Sequence, residues 1–120
     1  MKELSIIQKT YDLIRWYVPI VNRLPKNHKF TLGDRIINNP YDVLENLIKA
    51  KYADYKQDIL ADINLKLDIL RYQTRLLRDF ELFSVKRYEY ASQLINGIGM
   101  ELGGWINQQK KSQNTLPKLP

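Results

Sequence analysis

The stretch Leu24-Pro-Lys-Asn-His-Lys-Phe-Thr-Leu-Gly-Asp-Arg35 decides the fold, because it separates two segments whose apolar residues recur at helical spacing. Pro25 and Asn27 are typical of a loop. Thr31 and Asp34 have the spacing of a capping box, in which the Thr31 hydroxyl accepts a hydrogen bond from the Asp34 backbone N–H. The stretch therefore predicts a connection between two helices, the second of which begins at Thr31.

Outward from this connection, the apolar periodicity predicts four helices and no strand. Their approximate ranges are 3–23, 31–53, 56–80 and 85–107. Ser84 is the expected N-cap of the last helix. Pro19 should kink the first helix, and Pro40 should bend the second without dividing it, because the apolar pattern resumes at Val43. Four helices with short connections indicate an all-α, up-down-up-down four-helix bundle.

A chain of 120 residues is long enough for one domain with a core of moderate size. We expect the bundle to occupy residues 1–107 and residues 108–120 to form a disordered basic tail, because no apolar periodicity continues beyond residue 107. The last helix also contains four glycines in eight residues, namely Gly97, Gly99, Gly103 and Gly104. Each costs about 1 kcal/mol in a helix interior, so this cluster predicts close approach of a partner helix or an early helix end.

The third predicted helix has two apolar stripes on roughly opposite sides. The first stripe consists of Ile59, Leu60, Ile63, Leu67, Leu70 and Leu77, and the second of Leu65, Ile69, Tyr72, Leu76 and Phe80. A helix of a small monomeric bundle needs only one such stripe. The second stripe is therefore a predicted oligomer interface, unless another helix of the same bundle covers it.

The formal net charge of +6 and the sequence pI near 9.5 favour polyanionic partners such as nucleic acid, an acidic protein face or a membrane surface. The candidate nucleic-acid-binding side chains are Arg23, Lys26, His28, Lys29 and Arg35 in and beside the first connection, and Arg71, Arg75 and Arg78 on the third helix. The competing interpretation is a solvated face with ion pairs, for example between Asp68 and Arg71 or Arg75.

Residues that could carry catalysis are scarce. The chain has no cysteine and a single histidine, which excludes Cys–His nucleophiles and argues against a zinc site. Arg23 and His28 have the spacing of the ribonuclease motif of the HEPN family, but Pro25 lies between them where that family has a helix. We therefore predict a non-catalytic protein without metal or cofactor. The absence of cysteine, of a signal peptide and of long apolar runs predicts a cytoplasmic location without membrane association.

Four stretches resemble a family of small four-helix bundle proteins. Leu24–Arg35 is similar to the family's LPrshrFtLgdR region, and Leu67–Arg71 is similar to its Ld.lR on the third helix. Leu82–Glu89 corresponds to its last corner, and Ile98–Trp105 is similar to its iG..lggW. The family includes the accessory variability determinant (Avd) proteins of diversity-generating retroelements and the proteins encoded within bacterial 23S rRNA intervening sequences. The resemblance covers about residues 3–107 and does not separate these two branches.

The resemblance to Avd proteins implies a barrel-shaped homopentamer of basic protomers that binds DNA and RNA largely without sequence specificity. It also implies association with the retroelement reverse transcriptase during mutagenic retrohoming, in which an adenine-mutagenised cDNA copy of a template repeat replaces a variable repeat. By position in the family's motifs, it implies roles for Lys26, His28, Lys29, Arg35 and Arg71, and it adds Lys86 and Arg87 at the last corner. The alternatives are an intervening-sequence protein with a structural or interaction role and, less favoured, an RNA-cleaving enzyme that uses Arg23 and His28.

Overall fold

The computed structural model describes the backbone of residues 2–115 and the side chains of residues 5–112. The described elements are α1 (Lys2–Val21), α2 (Lys26–His28), a π-helical turn (Lys29–Gly33), α3 (Asp34–Tyr52), α4 (Gln57–Asp79) and α5 (Val85–Thr115). No strand occurs among these residues. This part of the chain is therefore all-helical, as predicted, with four long helices and one short helical connection.

The four long helices form a bundle in which α1 and α4 each pack against α3 and α5. The Ser5 hydroxyl near the start of α1 donates to Glu101 in the second half of α5 at 2.6 Å, whereas Trp16 near the end of α1 contacts Tyr90 near the start of α5. These contacts show that α1 and α5 are antiparallel. The short connections reverse the chain after each long helix, which gives the predicted up-down-up-down order.

One face of each long helix supplies the core, because apolar residues at spacings of three and four lie on the same side of a helix. Five residues of the first stripe of α4 are fully buried, and the sixth, Ile59, is half-buried against them. The core also contains a polar pair, the Tyr17 hydroxyl and the Thr74 hydroxyl, whose oxygens are 2.7 Å apart. Burial raises the pKa of Tyr17 far above its ordinary value, so this pair joins α1 to α4 as neutral hydroxyls.

The predicted capping box at Thr31 is wrong. Helical structure already begins at Lys26, because the Pro25 carbonyl accepts hydrogen bonds from the backbone N–H groups of His28 at 2.9 Å and Lys29 at 2.8 Å. Thr31 lies inside the π-helical turn, and its hydroxyl donates back to the carbonyls of Asn27 and His28. The extended backbone of Pro25 (φ −55°, ψ 149°) is therefore the start of the helical connection.

The connection packs against the core at Gly33, which is the only buried residue of the π-helical turn. A Cβ atom built on Gly33 would lie 3.3 Å from the His28 carbonyl oxygen and 3.5 Å from the Val21 side chain. Because this spacing leaves little room for a side chain, glycine permits the turn to lie against the end of α1. The π-helical turn in this way leads into α3 while it lies against the end of α1.

Both prolines predicted to disturb a helix lie inside continuous helices, Pro19 in α1 and Pro40 in α3. At Pro40, the preceding residue ties α3 to α4, because the Asn39 side-chain amide donates to the Lys66 carbonyl oxygen at 2.9 Å. The expectation that α3 would not be divided is therefore confirmed. Pro40 itself is buried, so it packs inside the bundle although proline cannot donate a backbone hydrogen bond to the helix.

The start of α5 follows the prediction, and its end does not. The Ser84 hydroxyl accepts a hydrogen bond from the Arg87 backbone N–H at 3.1 Å, which confirms Ser84 as the N-cap. However, α5 continues to Thr115, so residues 108–115 are helical and the predicted tail boundary at 108 is wrong. The glutamines and lysines there are good helix formers that extend an existing helix without an apolar stripe. The rest of the predicted tail, residues 116–120, lies outside the described residues.

The close approach predicted from the glycines of α5 is absent at three of the four positions. Added Cβ atoms at Gly97, Gly103 and Gly104 would meet nothing within 4 Å, whereas Gly99 faces the Arg71 guanidinium. None of the four glycines ends the helix, and only Gly99 lies against a side chain of another described helix, that of Arg71 in α4.

Candidate functional site

Positive charge is concentrated at one end of the bundle. The connection between α1 and α3 meets the corner between α4 and α5 there, since the His28 and Phe80 rings stack with centroids 5.4 Å apart. Residues 22–35 and 75–90 contain eight lysines and arginines against four carboxylates, which is +4 of the formal +6. The eight cations are Arg23, Lys26, Lys29, Arg35, Arg75, Arg78, Lys86 and Arg87. We call this region the basic end.

In and beside the helical connection, Arg23, Lys26 and Arg35 are exposed, and no ion pair or hydrogen bond holds their side chains in the described part of the chain. The Lys29 ammonium lies 5.5 Å from the centre of the Phe30 ring. These cations are available to phosphate groups, because neutralisation of phosphates by lysine and arginine does not require a preformed pocket.

His28 is half-buried, and its stacking on Phe80 fixes the ring. It lines a shallow depression with Thr31, Leu32, Arg35, Leu76 and Phe80. Arg23 lies in the turn after α1, on the other side of Pro25 from His28. The two residues therefore do not share one helix face, unlike the arrangement of the ribonuclease motif that their spacing resembles.

The three arginines of α4 have partners. Arg78 lies 3.3 Å from Asp79 and 4.6 Å from the centre of the Tyr88 ring, and the Arg75 guanidinium is 4.0 Å from Asp79. Arg71 is half-buried, is 3.7 Å from Asp68 and donates to the Asn96 side-chain oxygen at 3.3 Å.

The predicted pairing of Asp68 with Arg71 is thus observed. Arg71 lies about 10 Å along α4 from Arg78, at 1.5 Å per residue. The structure consequently separates Arg71 from the basic end and places it in the packing between α4 and α5.

The first turn of α5 holds the two cations of the last corner, Lys86 and Arg87. Both side chains are exposed and unpaired among the described residues, and the first turn contains no carboxylate. They lie beside Trp16, Ile20 and Tyr90 in a shallow depression between α1 and α5. Sequence analysis missed Tyr90, although its spacing of three and four residues from the two cations places all three side chains on one face.

The second apolar stripe of α4 is uncovered. Its residues have exposed fractions of 41% to 63%, namely Leu65 at 58%, Ile69 at 43%, Tyr72 at 63%, Leu76 at 41% and Phe80 at 51%. The alternative that another helix of the same bundle covers them is therefore wrong. Five adjacent apolar side chains on one face form a patch of the kind that soluble monomers rarely expose. We call this stripe the α4 face.

A further apolar row, which sequence analysis did not identify, lies on α3. Tyr41, Ile48 and Tyr52 have exposed fractions of 42%, 43% and 77%. Their spacing of seven and four residues places them on one side of α3, roughly opposite Asn39, which contacts α4. The side chains of residues 5–112 thus include two exposed apolar surfaces on different helices, the α4 face and this α3 row.

Two chemical properties can be stated for the described residues. No group of three or more His, Cys, Asp or Glu residues is arranged to hold a metal ion among them. None of the helices searched in this part of the chain is long and apolar enough to cross a membrane.

The bAvd-like family profile matches residues 4–109. No curated protein matches the chain. Among solved structures, the fold is similar to that of a protein of unknown function from the S23 ribosomal protein family of Bacteroides thetaiotaomicron, with a TM-score of 0.82 and 19% identity. The match covers 89% of this chain and 99% of the other. At this identity the structural likeness establishes the fold alone.

Proposed function

The chain belongs to the bAvd-like family, and from this premise we propose that it is a non-catalytic accessory protein of a diversity-generating retroelement. In this function it binds nucleic acid and the retroelement reverse transcriptase, and it supports mutagenic retrohoming. The observation that carries the proposal is the basic end, where eight cations of a family member converge. The protein needs no chemistry of its own, because the polymerase synthesises the cDNA.

The arrangement of the cations supports the proposed binding of nucleic acid. They occupy the helical connection and the last corner, which lie at the same end of the bundle. Lysines and arginines on such a surface hold phosphates of DNA and RNA without reading bases, and each phosphate contact makes the affinity more sensitive to salt. The proposed binding is therefore strong at low salt and largely independent of sequence.

The two exposed apolar surfaces support the proposed assembly. Two different surfaces on one protomer suit a heterologous contact, in which the α4 face of one copy packs against the α3 row of the next. A heterologous contact produces a ring when the rotation closes, and the family resemblance implies five protomers. Because every protomer would have the same orientation along the ring axis, their basic ends would lie together and their positive potentials would add.

The reverse transcriptase is the proposed protein partner, and the ring would bring nucleic acid to it. Purified protein and polymerase should co-elute in size-exclusion chromatography. Persistence of two separate peaks at low salt would contradict this part of the proposal.

The nucleic-acid part can be tested with two matched double variants. Arg23→Gln with Lys26→Gln removes two exposed cations from the basic end, and Lys110→Gln with Lys111→Gln removes two exposed cations from the second half of α5. The first variant should weaken binding to DNA and RNA duplexes and lower the salt dependence by about one phosphate contact per cation. The second should retain most of the affinity. Equal effects of the two variants would show that the basic end has no special role.

A second candidate function comes from the sequence resemblance, which does not separate Avd proteins from the proteins of 23S rRNA intervening sequences. In this alternative the chain is an intervening-sequence type of four-helix bundle with a structural or interaction role. Genomic position distinguishes the two candidates. A reverse transcriptase gene with paired repeats nearby supports the accessory function, whereas location inside an rRNA operon supports the alternative.

A further inference from the structure

We propose that the depression around Tyr90 is a subsite for single-stranded nucleic acid, in which an unpaired base stacks on the Tyr90 ring and neighbouring phosphates contact Lys86 and Arg87. This inference rests on the proposed nucleic-acid function. It adds the form of the strand that is held and the position at which it is held. We call the group of Trp16, Ile20, Lys86, Arg87 and Tyr90 the Tyr90 platform.

The exposed Tyr90 ring of the platform packs on Trp16, which in turn contacts aromatic residues of the core. The Tyr90 ring lies 4.9 Å from the Trp16 ring, and Trp16 in turn makes edge contacts with Tyr17 at 5.6 Å and Phe83 at 6.3 Å. Tyr17 and Phe83 are buried, whereas Tyr90 is 47% exposed. The outermost ring of a four-ring cluster is thus open to solvent. Because the cluster restrains this ring, a base that stacks on it would cost little additional side-chain ordering.

The cations of the platform are placed for an anion. Lys86 precedes Tyr90 by four residues and Arg87 precedes it by three, so that all three side chains lie on one face of α5. The N-terminal turn of a helix is itself partially positive and normally favours carboxylates, yet this turn contains two cations and no acid. Neither cation has an ion pair within the described chain, and Glu89 pairs with neither of them. Their charges are unfavourable for the isolated helix and favourable for a bound phosphate.

The exposed ring distinguishes a single strand from a duplex. A duplex can offer phosphates to Lys86 and Arg87, but its base faces are stacked on one another and cannot reach Tyr90. An unpaired strand can place phosphates at Lys86 and Arg87 and a base on the Tyr90 ring at the same time. An aromatic side chain beside cations that follow the backbone is the usual arrangement in proteins that bind single strands, and it tolerates any base. The platform therefore adds affinity for unpaired DNA or RNA to the general affinity of the basic end.

The test compares single strands of about eight nucleotides with a duplex of the same sequence, in DNA and RNA forms. Tyr90→Leu retains apolar contact with Trp16 and removes the aromatic face. Tyr55→Leu is the matched control, because Tyr55 is 88% exposed in the connection between α3 and α4, at the other end of the bundle. Tyr90→Leu should weaken single-strand binding about tenfold and leave duplex binding unchanged, while Tyr55→Leu should change neither. Comparison of the DNA and RNA arms then shows which strand the platform prefers.

Tryptophan fluorescence gives a second measurement that does not depend on the Tyr90 variant. The chain has two tryptophans, and Trp105 is in the core with 2% exposure. In a Trp105→Phe protein, the emission of Trp16 should be quenched in a saturable manner by the single strand and much less by the duplex, because a base stacked on Tyr90 lies near the Trp16 ring. Circular dichroism of each variant checks that the helices are retained.

The outcomes separate the subsite from the function on which it rests. If Tyr90→Leu weakens binding of single strand and duplex equally, or weakens neither, the subsite is wrong and the basic end remains the nucleic-acid surface. If a single strand binds but does not quench the fluorescence of Trp16, the subsite is also wrong. If the unmodified protein binds neither form at low salt, the proposed nucleic-acid function fails, and the subsite fails with it.

Discussion

Replacement of Lys56 by methionine should destabilise the fold, although Lys56 lies outside the helices and the core. Its ammonium donates to three backbone carbonyl oxygens at the end of α3, those of Ala50 at 2.6 Å, Ala53 at 2.8 Å and Lys51 at 3.2 Å. The last carbonyls of a helix have no partner within the helix, and a cation there interacts favourably with the helix dipole. Lys56 therefore caps the C-terminus of α3 and fixes the corner that leads into α4.

The size of the effect follows from these contacts. A hydrogen bond from a charged donor contributes about 1.5 to 3 kcal/mol. Lys56 is half-buried, so water can replace part of the lost interaction at the Lys51 and Ala53 carbonyls. Ala50 is fully buried, which leaves its carbonyl less well solvated. Loss of the ammonium should therefore lower the free energy of unfolding by about 2 kcal/mol, or the melting temperature by about 8 °C for a chain of this length.

Urea unfolding followed by circular dichroism measures this change, at one protein concentration because assembly contributes to apparent stability. Methionine retains the length and apolar character of the lysine stem, so that the loss reflects the ammonium. Lys49→Met is the control, because Lys49 is exposed on α3 and its side chain has no partner among the described residues. Lys49→Met should change the free energy of unfolding by less than about 0.5 kcal/mol. An equally small change for Lys56→Met would refute the capping role.

Three further changes test other surfaces. Leu76→Asp places a charge within the α4 face and should reduce the assembly to smaller species in sedimentation velocity, whereas an unmodified protein that is already monomeric would contradict the proposed ring. Glu81 has a positive φ of 60° in the corner after α4, so Glu81→Gly should raise the free energy of unfolding by about 1 kcal/mol. A lower free energy of unfolding would show that the Glu81 side chain has its own role. Purified protein should leave labelled RNA intact, and cleavage that disappears in His28→Ala would support the enzymatic alternative.

The helical periodicity of the sequence was sufficient to predict much of the fold. The apolar residues of α4 divide into two stripes at helical spacing, and the structure buries the first stripe and exposes the second. Ser84 could be identified as an N-cap because capping depends on residues only three positions apart. These features are local, since they depend on helix geometry and on side chains within one turn.

Predictions from local sequence patterns were wrong where a contact with a distant residue, or a helix that continued from the preceding residues, determined the conformation. Thr31 and Asp34 have the spacing of a capping box, but the helical connection had already begun at Pro25 and was packed against α1 through Gly33. The boundary at 108 was wrong because a helix that has formed can continue through polar residues.

For the candidate surfaces, too, the sequence determined some features and the tertiary structure determined others. The sequence by itself determined the positive charge, the helical bundle and the presence of a second apolar stripe on α4, because composition and periodicity are properties of the chain. Only the tertiary structure decided that the first connection and the last corner share one end, and that Tyr90 is held against Trp16 beside Lys86 and Arg87. These relations join residues of different helices, so they depend on how the helices pack and not on spacing along any one of them.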